Sequence, residues 1–349
     1  MPACVGMSGG CGSLQLETLQ DEQTGASVRF RARSLWTLVA CMAFAYCVWR
    51  VFDFVRHYRL QEIVDWLRAV PPTNVALAIV FTIASYIMLT GHDYIAARYA
   101  GKRPPYSKVA FASFVSLSVG HPLGPAPLGS GVLRYFFYTR LGFGLEEFAK
   151  LVLLIVMTTT IGKFSFTSLV LLYDASAAAR WFGVDESLVK AAAVLALTGI
   201  AVYLTACLLL RHTLRVRTWS FALPSIWIAL AQVAVGTINY FFISACLHQL
   251  ILASQPVPFA MVATAYMTGN FATMLTRVPA GWGIVEFVLL SYFPTLDGIG
   301  AVIAFRTIND LVPLAIGMLL LVTIEGPAAI KAAMARRAAA RQIPIDPGP

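Results

Sequence analysis

Gly120-His121-Pro122-Leu123-Gly124-Pro125-Ala126-Pro127-Leu128-Gly129-Ser130-Gly131-Val132-Leu133-Arg134 lies between two apolar segments, each too short to cross a bilayer alone. Its three prolines and four glycines argue against an unbroken helix. Proline lacks an amide donor, and glycine favours backbone that other residues avoid. Such backbone is tolerated at membrane depth only where protein surrounds it or where it lines a wet cavity. The stretch also recurs. Pro127-x-Gly129-x-Gly131-x-x-Arg134 is matched by Pro279-x-Gly281-x-Gly283-x-x-Glu286, 152 residues later (286 against 134). Upstream, Pro105, Tyr106, Val109 and Ala110 are matched by Pro258, Phe259, Val262 and Ala263, one residue out of that register. The chain reads as two copies of one broken-helix unit.

Composition agrees with a membrane setting. The 349 residues are 58% apolar and only 12% charged, whereas soluble domains carry about 25% charged residues. A net charge of +9 raises nucleic acid as a partner, but the basic residues stand at segment ends. There they act as topology signals facing anionic lipid, so no nucleic-acid partner is expected. Cys41, Cys47, Cys207 and Cys246 lie inside apolar runs, and Cys4 and Cys11 lack metal-ligand spacing. No metal and no cofactor are expected.

Residues 1–28 show no apolar period and are expected to form a disordered cytoplasmic tail. A transmembrane domain is expected over 29–330, with repeat 1 at about 74–173 and repeat 2 at about 220–324. A basic cytoplasmic tail follows at 331–349. Arg29, Arg31 and Arg33 precede the apolar run Leu35 to Trp49, which continues past Ala43-x-Ala45 and so reads as a first spanning helix, not a cleaved signal. Further spans are predicted from Asn74 to about Tyr94, Phe148 to Tyr173, Leu188 to Leu210, Ser220 to Leu247 and Ile299 to Ile324. Between them, half-length segments (109–119 with 132–143, and 259–274 with 284–293) predict two re-entrant hairpins. The fold class is therefore an all-α polytopic membrane protein, with six full spans and two broken-helix hairpins in an inverted repeat. Arg98, Lys102, Arg103, Lys108, Arg211, Arg215 and Arg217 mark cytoplasmic loops, and Lys331, Arg336, Arg337 and Arg341 do the same for the tail. With both termini cytoplasmic, the hairpins open to opposite sides. Inverted repeats whose broken helices meet near the midplane are a transporter architecture.

The candidate site residues follow from this geometry. Half-helix N-termini direct amides and positive dipole ends into the cavity between the hairpins. A phosphate or carboxylate would be held there by Arg134 and Arg277. Glu286 stands at the position equivalent to Arg134, His121 sits in the first broken loop, and Arg306, Asn309 and Asp310 share one face of the last helix. His121, Arg134, Arg277, Glu286, Arg306 and Asp310 are the substrate-binding candidates. Gly124, Pro127, Gly129, Gly131, Pro279, Gly281 and Gly283 shape the hairpin backbone. Lys163 is expected to pair with Asp310 across the bundle as a structural contact. There is no Walker A sequence and no triad partner for Ser130, so an enzyme is not expected.

Gly120-His121-x-x-Gly124-Pro125, Gly129-x-Gly131-x-x-Arg134-Tyr135 and Arg277-Val278-Pro279-x-Gly281-x-Gly283-x-x-Glu286, with Arg306 before Pro313, resemble the lysylphosphatidylglycerol synthase transmembrane-region family. The resemblance covers about residues 35–330, and Phe136 stands where that family usually has a second arginine. It implies a membrane region associated with moving a modified lipid between leaflets. In full-length members that region is joined to a soluble aminoacyltransferase domain, which is expected to be absent from this chain. The expected function is a lipid flippase or lipid-transport protein, acting on an aminoacylated or unmodified phospholipid in the inner membrane. Two alternatives stay open: a secondary transporter of a small anion, and a non-catalytic membrane partner of a lipid-modifying synthase.

Overall fold

A computed structural model describes residues 68, 70–120, 126–209, 213–216, 219–276, 283–293 and 296–323, all within the compact unit Phe54–Pro349. The predicted first span, both tails and the hairpin tips at 121–125 and 277–282 lie outside these residues. Along the chain come α1 (Pro72–Tyr99), α2 (Tyr106–Gly120), α3 (Ala126–Arg140), α4 (Leu145–Tyr173), α5 (Ser176–Phe182) and α6 (Glu186–Leu209). A two-stranded ribbon, β1 (Thr213–Val216) with β2 (Trp219–Ala222), is followed by α7 (Ile226–Leu252), α8 (Phe259–Thr276), α9 (Ile284–Tyr292) and α10 (Leu296–Arg306). A π-helical turn, Thr307–Leu311, joins α10 to a final helical segment reaching residue 323.

Among the described residues, five helices are long and apolar enough to cross a membrane: α1, α4, α6, α7 and Gly300–Thr323 of the last helix. They coincide with five of the six predicted spans, and the chain is an integral membrane protein. Large apolar side chains cover their outer faces. Leu195 and Leu209 on α6 are 73% and 71% exposed, as expected of a helix facing hydrocarbon instead of water. The four remaining long segments are short for a bilayer. With 15, 15, 18 and 9 residues, α2, α3, α8 and α9 measure about 22, 22, 27 and 14 Å at 1.5 Å per residue. The hydrocarbon layer is about 30 Å thick.

Local chemistry sets the boundaries. α1 begins at Pro72, whose missing amide costs nothing in a first turn, and Gly101 (φ 88°) turns the chain after it. The amide of Gly144 donates to Glu147 (2.6 Å) at the start of α4. α5 stops at Gly183 in the left-handed region (φ 65°). Three boundaries differ from expectation. The second copy's first helix starts at Ile226 and not near Ser220, because Leu223 precedes Pro224 and is pushed off helical backbone. Trp219–Ala222 instead pairs antiparallel with Thr213–Val216, with Val216 opposite Trp219, and among the described residues this ribbon is the only strand pair. The Gly/Pro stretch is also less broken than expected. α3 already begins at Ala126, so Pro127 lies in its first turn, where no amide partner is needed, and Gly131 is helical.

Helix starts recur at a near-constant offset along the chain. α7 starts 154 residues after α1 (226 against 72), α8 starts 153 after α2 (259 against 106), and α10 starts 151 after α4 (296 against 145). α1 and α7 pack antiparallel: Asn74 Nδ2 reaches the Gln249 carbonyl (3.0 Å), Phe81 stacks on Phe242, and Thr82 meets Cys246. Ser85 Oγ donates to Asn239 Oδ1 (2.8 Å), and these residues are 154 apart. They touch each other where the helices cross.

The short helices begin from opposite ends. Lys102 binds Glu147 (3.0 Å), and Tyr106 contacts Thr90 and Tyr94. α2 thus departs beside the end of α1, and α3 returns to the start of α4 at that same end. At the far end, where Asn74 meets Gln249, His248 contacts Val257 and Phe259 as α8 departs. Trp181 on α5 stacks on Tyr292 and donates to Ser291 Oγ (2.7 Å), which fixes the return of α9 beyond the end of α4.

The core lies where α7, α8, α9 and α10 meet, around Leu247, Met267, Leu289 and Phe305. α4 and α7 approach closely because Gly162 faces Gly236. A Cβ on Gly236 would lie 2.8 Å from the Thr158 carbonyl oxygen. Small residues allow such close backbones in lipid, and polar side chains join them. Here Tyr203 on α6 donates to Gln232 on α7 (2.6 Å), and Gln232 donates to Thr158 on α4 (2.9 Å).

Candidate functional site: two buried charge clusters

The first cluster joins α1 to α3. Arg134 donates from Nε to Asp93 Oδ2 (2.9 Å) and from Nη2 to Asp93 Oδ1 (3.1 Å). This is a two-pronged pairing, the strongest form available to a guanidinium and a carboxylate. Nη1 donates to Ser130 Oγ one turn back (3.1 Å), and the Tyr138 hydroxyl donates to Asp93 Oδ2 one turn ahead (3.2 Å). The Asp93 and Arg134 side chains are only 0% and 7% exposed, so the pair is sealed from solvent. His92 lies beside it, 4% exposed, and its Nε2 finds no hydrogen-bond partner among the described residues.

The second cluster joins α9 to the last helix. Glu286 Oε2 accepts the amide of Gly283 (2.8 Å), which caps the first turn of α9 from a left-handed glycine (φ 82°). Its other oxygen accepts from Arg306 Nε (2.7 Å), and Arg306 Nη1 donates to Asp310 Oδ2 (2.8 Å). Asn309 Nδ2 donates to Asp310 Oδ1 (2.9 Å). Arg306 lies between two carboxylates, so the group carries one surplus negative charge as drawn from these three side chains.

The π-turn explains how Arg306, Asn309 and Asp310 reach inward together. Pro313 has no amide, so the Asn309 carbonyl loses its helical partner four residues on. The Val312 amide bonds to Thr307 instead, closing the wide turn, and the Tyr86 hydroxyl on α1 reaches the Asn309 carbonyl (3.4 Å). Wide turns of this kind concentrate at functional positions. Tyr86 and Asp93 are two turns apart on one face of α1, about 10 Å along its axis. Both clusters therefore touch the same stripe of α1.

Of the predicted residues, Arg134, Glu286, Arg306 and Asp310 fall in these clusters. His121, Gly124, Arg277, Pro279 and Gly281 lie outside the described residues. Pro127, Gly129, Gly131 and Gly283 belong to the helix starts described above. The fork of Arg134 is not open in this structure, because the Asp93 carboxylate occupies it. The expected Lys163–Asp310 pair is not formed either. Asp310 accepts from Arg306 and Asn309, while the Lys163 ammonium lies 5.9 Å from the Tyr240 ring and 5.7 Å from the Phe271 ring. A guanidinium one turn away on the same helix is the nearer partner. Asp93 and His92 were missed. An ionisable pair late in an otherwise apolar run was the available signal.

Comparison with known proteins gives distant relatives. The chain is 23% identical over 279 residues to the uncharacterised protein slr0712 of Synechocystis sp., covering 79% of this chain and 86% of that protein. It is 24% identical over 257 residues to the inner membrane protein YbhN of Escherichia coli, covering 72% of this chain and 80% of that one. No protein-family model matches the chain.

Proposed function

We propose that this protein is a lipid-transport protein of the inner membrane, moving a phospholipid between leaflets. The observation that carries the reading is the pair of short-helix units departing from opposite ends of the bundle, each placing buried charge beside α1. We read each unit as a re-entrant hairpin and the two copies as an inverted repeat, the arrangement that supports alternating access. A headgroup between the hairpins avoids a transfer cost of several kcal/mol per unsatisfied polar group, while its tails remain in lipid. The relatives support the membrane assignment, one of them being an inner membrane protein.

In this mechanism the Asp93–Arg134 pair is a lock. A phosphate presents two oxygens in the geometry that Asp93 now supplies, so the headgroup exchanges for the carboxylate on the same guanidinium fork. Arg277 is assigned a second phosphate contact. Glu286 and Asp310, sharing Arg306, take a proton or a cationic part of the headgroup. Transfer of a labelled phospholipid in reconstituted liposomes tests the reading, comparing wild type with Arg277→Ala and Glu286→Gln. The Gln side chain retains an acceptor for the Gly283 amide, so α9 stays capped. Loss of transfer in variants that still elute as folded protein is expected. Wild-type rates in both would remove the proposed site.

A further inference from the structure

A cleft of about 270 Å3 opens between the start of α2 and the end of α3, at the end of the bundle where both meet the loops. Its walls are Phe111, Ala112, Phe137 and Leu141, with Lys108 and Arg140 lining the same cleft. Phe111 and Phe137 meet edge to face at 5.5 Å, which gives the apolar wall a fixed shape. Lys108 and Arg140 are exposed, and the Arg140 guanidinium rests 4.0 Å from the Phe136 ring centre, its stem on apolar surface and its charge outward. α2 starts at Tyr106 after Pro104-Pro105, so the positive end of its dipole lies at the same end of the helix as Lys108. The charges and the apolar walls are therefore layered, cations at the rim and rings beneath.

We propose that this cleft binds an anionic phospholipid of the adjoining leaflet, its phosphate at Lys108, Arg140 and the start of α2 and one acyl chain against Phe111, Phe137 and Leu141. A free anion would use the rim and leave the apolar walls facing nothing suited to them. Two cations at the rim favour a headgroup of net negative charge over a zwitterionic one, whose ammonium they would repel. The site stands whether or not the chain moves lipid, because it lies outside both buried charge clusters and needs no rearrangement of either.

Native mass spectrometry of the detergent-solubilised full chain, offered equal phosphatidylglycerol and phosphatidylcholine of matched chains, tests it. Wild type should retain phosphatidylglycerol in preference. Each cation at a membrane surface is worth about a fivefold change in binding, so Lys108→Gln should lower the preference about fivefold and Lys108→Gln with Arg140→Gln about thirtyfold. Ala112→Trp, which fills the cleft without touching the rim charges, should reduce retention of both lipids. Lys190→Gln on α6 is the control and should change nothing. An unchanged preference in Lys108→Gln and in the double variant overturns the proposal. So does displacement of the lipid by millimolar inorganic phosphate, which would make the rim a free-anion site.

Discussion

Asp93→Asn should destabilise the protein more than Asp93→Asn combined with Arg134→Met. In the native arrangement Arg134 makes two bonds to Asp93, at 2.9 and 3.1 Å, with the two side chains 7% and 0% exposed. Removing only the carboxylate's charge leaves an uncompensated guanidinium in low-dielectric surroundings, with the neutral Asn oxygen and Ser130 as its acceptors. Breaking one side of a buried pair costs about 3–5 kcal/mol. Removing both charges eliminates that penalty, since methionine follows much of the arginine stem and adapts to irregular space. The cost then falls to about 1–2 kcal/mol of repacking. The coupling within the pair is therefore a few kcal/mol and of opposite sign to the single substitutions. Apparent melting midpoints of the four members of this cycle, followed by fluorescence-detected size exclusion of the solubilised full chain, measure it. A double variant as unstable as the sum of its two single variants would refute the reasoning, because it would mean that neither charge depends on the other.

Gly236→Ala should destabilise the α4–α7 contact, since its Cβ would lie 2.7 Å from the Gly162 Cα and 2.8 Å from the Thr158 oxygen; Gly199→Ala on α6, with nothing within 4 Å, should instead stabilise by up to about 1 kcal/mol in the same melting assay. Tyr86→Phe should cost about 1 kcal/mol by leaving the Asn309 carbonyl unsatisfied, and this cost should vanish in a Pro313→Ala background, where the restored amide takes that carbonyl. In the loops outside the membrane, bonds from Ser176 hold the Asp174 carboxyl below its usual range, and bonds from Ser187 do the same for Asp185. Because these values are lowered by folding, their stabilisation is present above the ordinary carboxylate range and is lost as pH falls through the lowered values. Amide exchange at Ser176–Phe182 should accelerate over that acid interval and not on the alkaline side.

Much of the frame was legible in the chain. Runs of apolar residues with basic flanks located five spanning helices to within a few residues, because the bilayer demands about twenty apolar residues in a row whatever surrounds them. The start of a helix at the Gly/Pro stretch was marked too, since backbone without amides or Cβ atoms stands out in sequence. The exact boundary there was less clear. A proline in a first helical turn and a proline in a loop look alike in sequence, and α3 turned out to begin before Pro127.

The site was half legible. Glu286, Arg306 and Asp310 stood out as charges in apolar segments, and the i, i+4 spacing of Arg306 and Asp310 already placed them on one face. Asp93 did not, although it obeys the same rule, because its partner lies 41 residues away and its own helix offers no opposite charge three or four residues from it. Lys163 was assigned the wrong partner for a related reason. Correspondence between two repeats says which helices face each other but not which side chains are within reach.

The residues by themselves determined that this chain lies in a membrane and where its spanning helices run, because hydropathy and backbone chemistry are local properties read residue by residue. Tertiary structure alone decided which charge neutralises which, that Arg134 is closed off by Asp93 and that Pro313 opens the turn presenting Asp310. Those outcomes depend on distances between separate helices, and a few ångströms there separate an ion pair from two uncompensated charges.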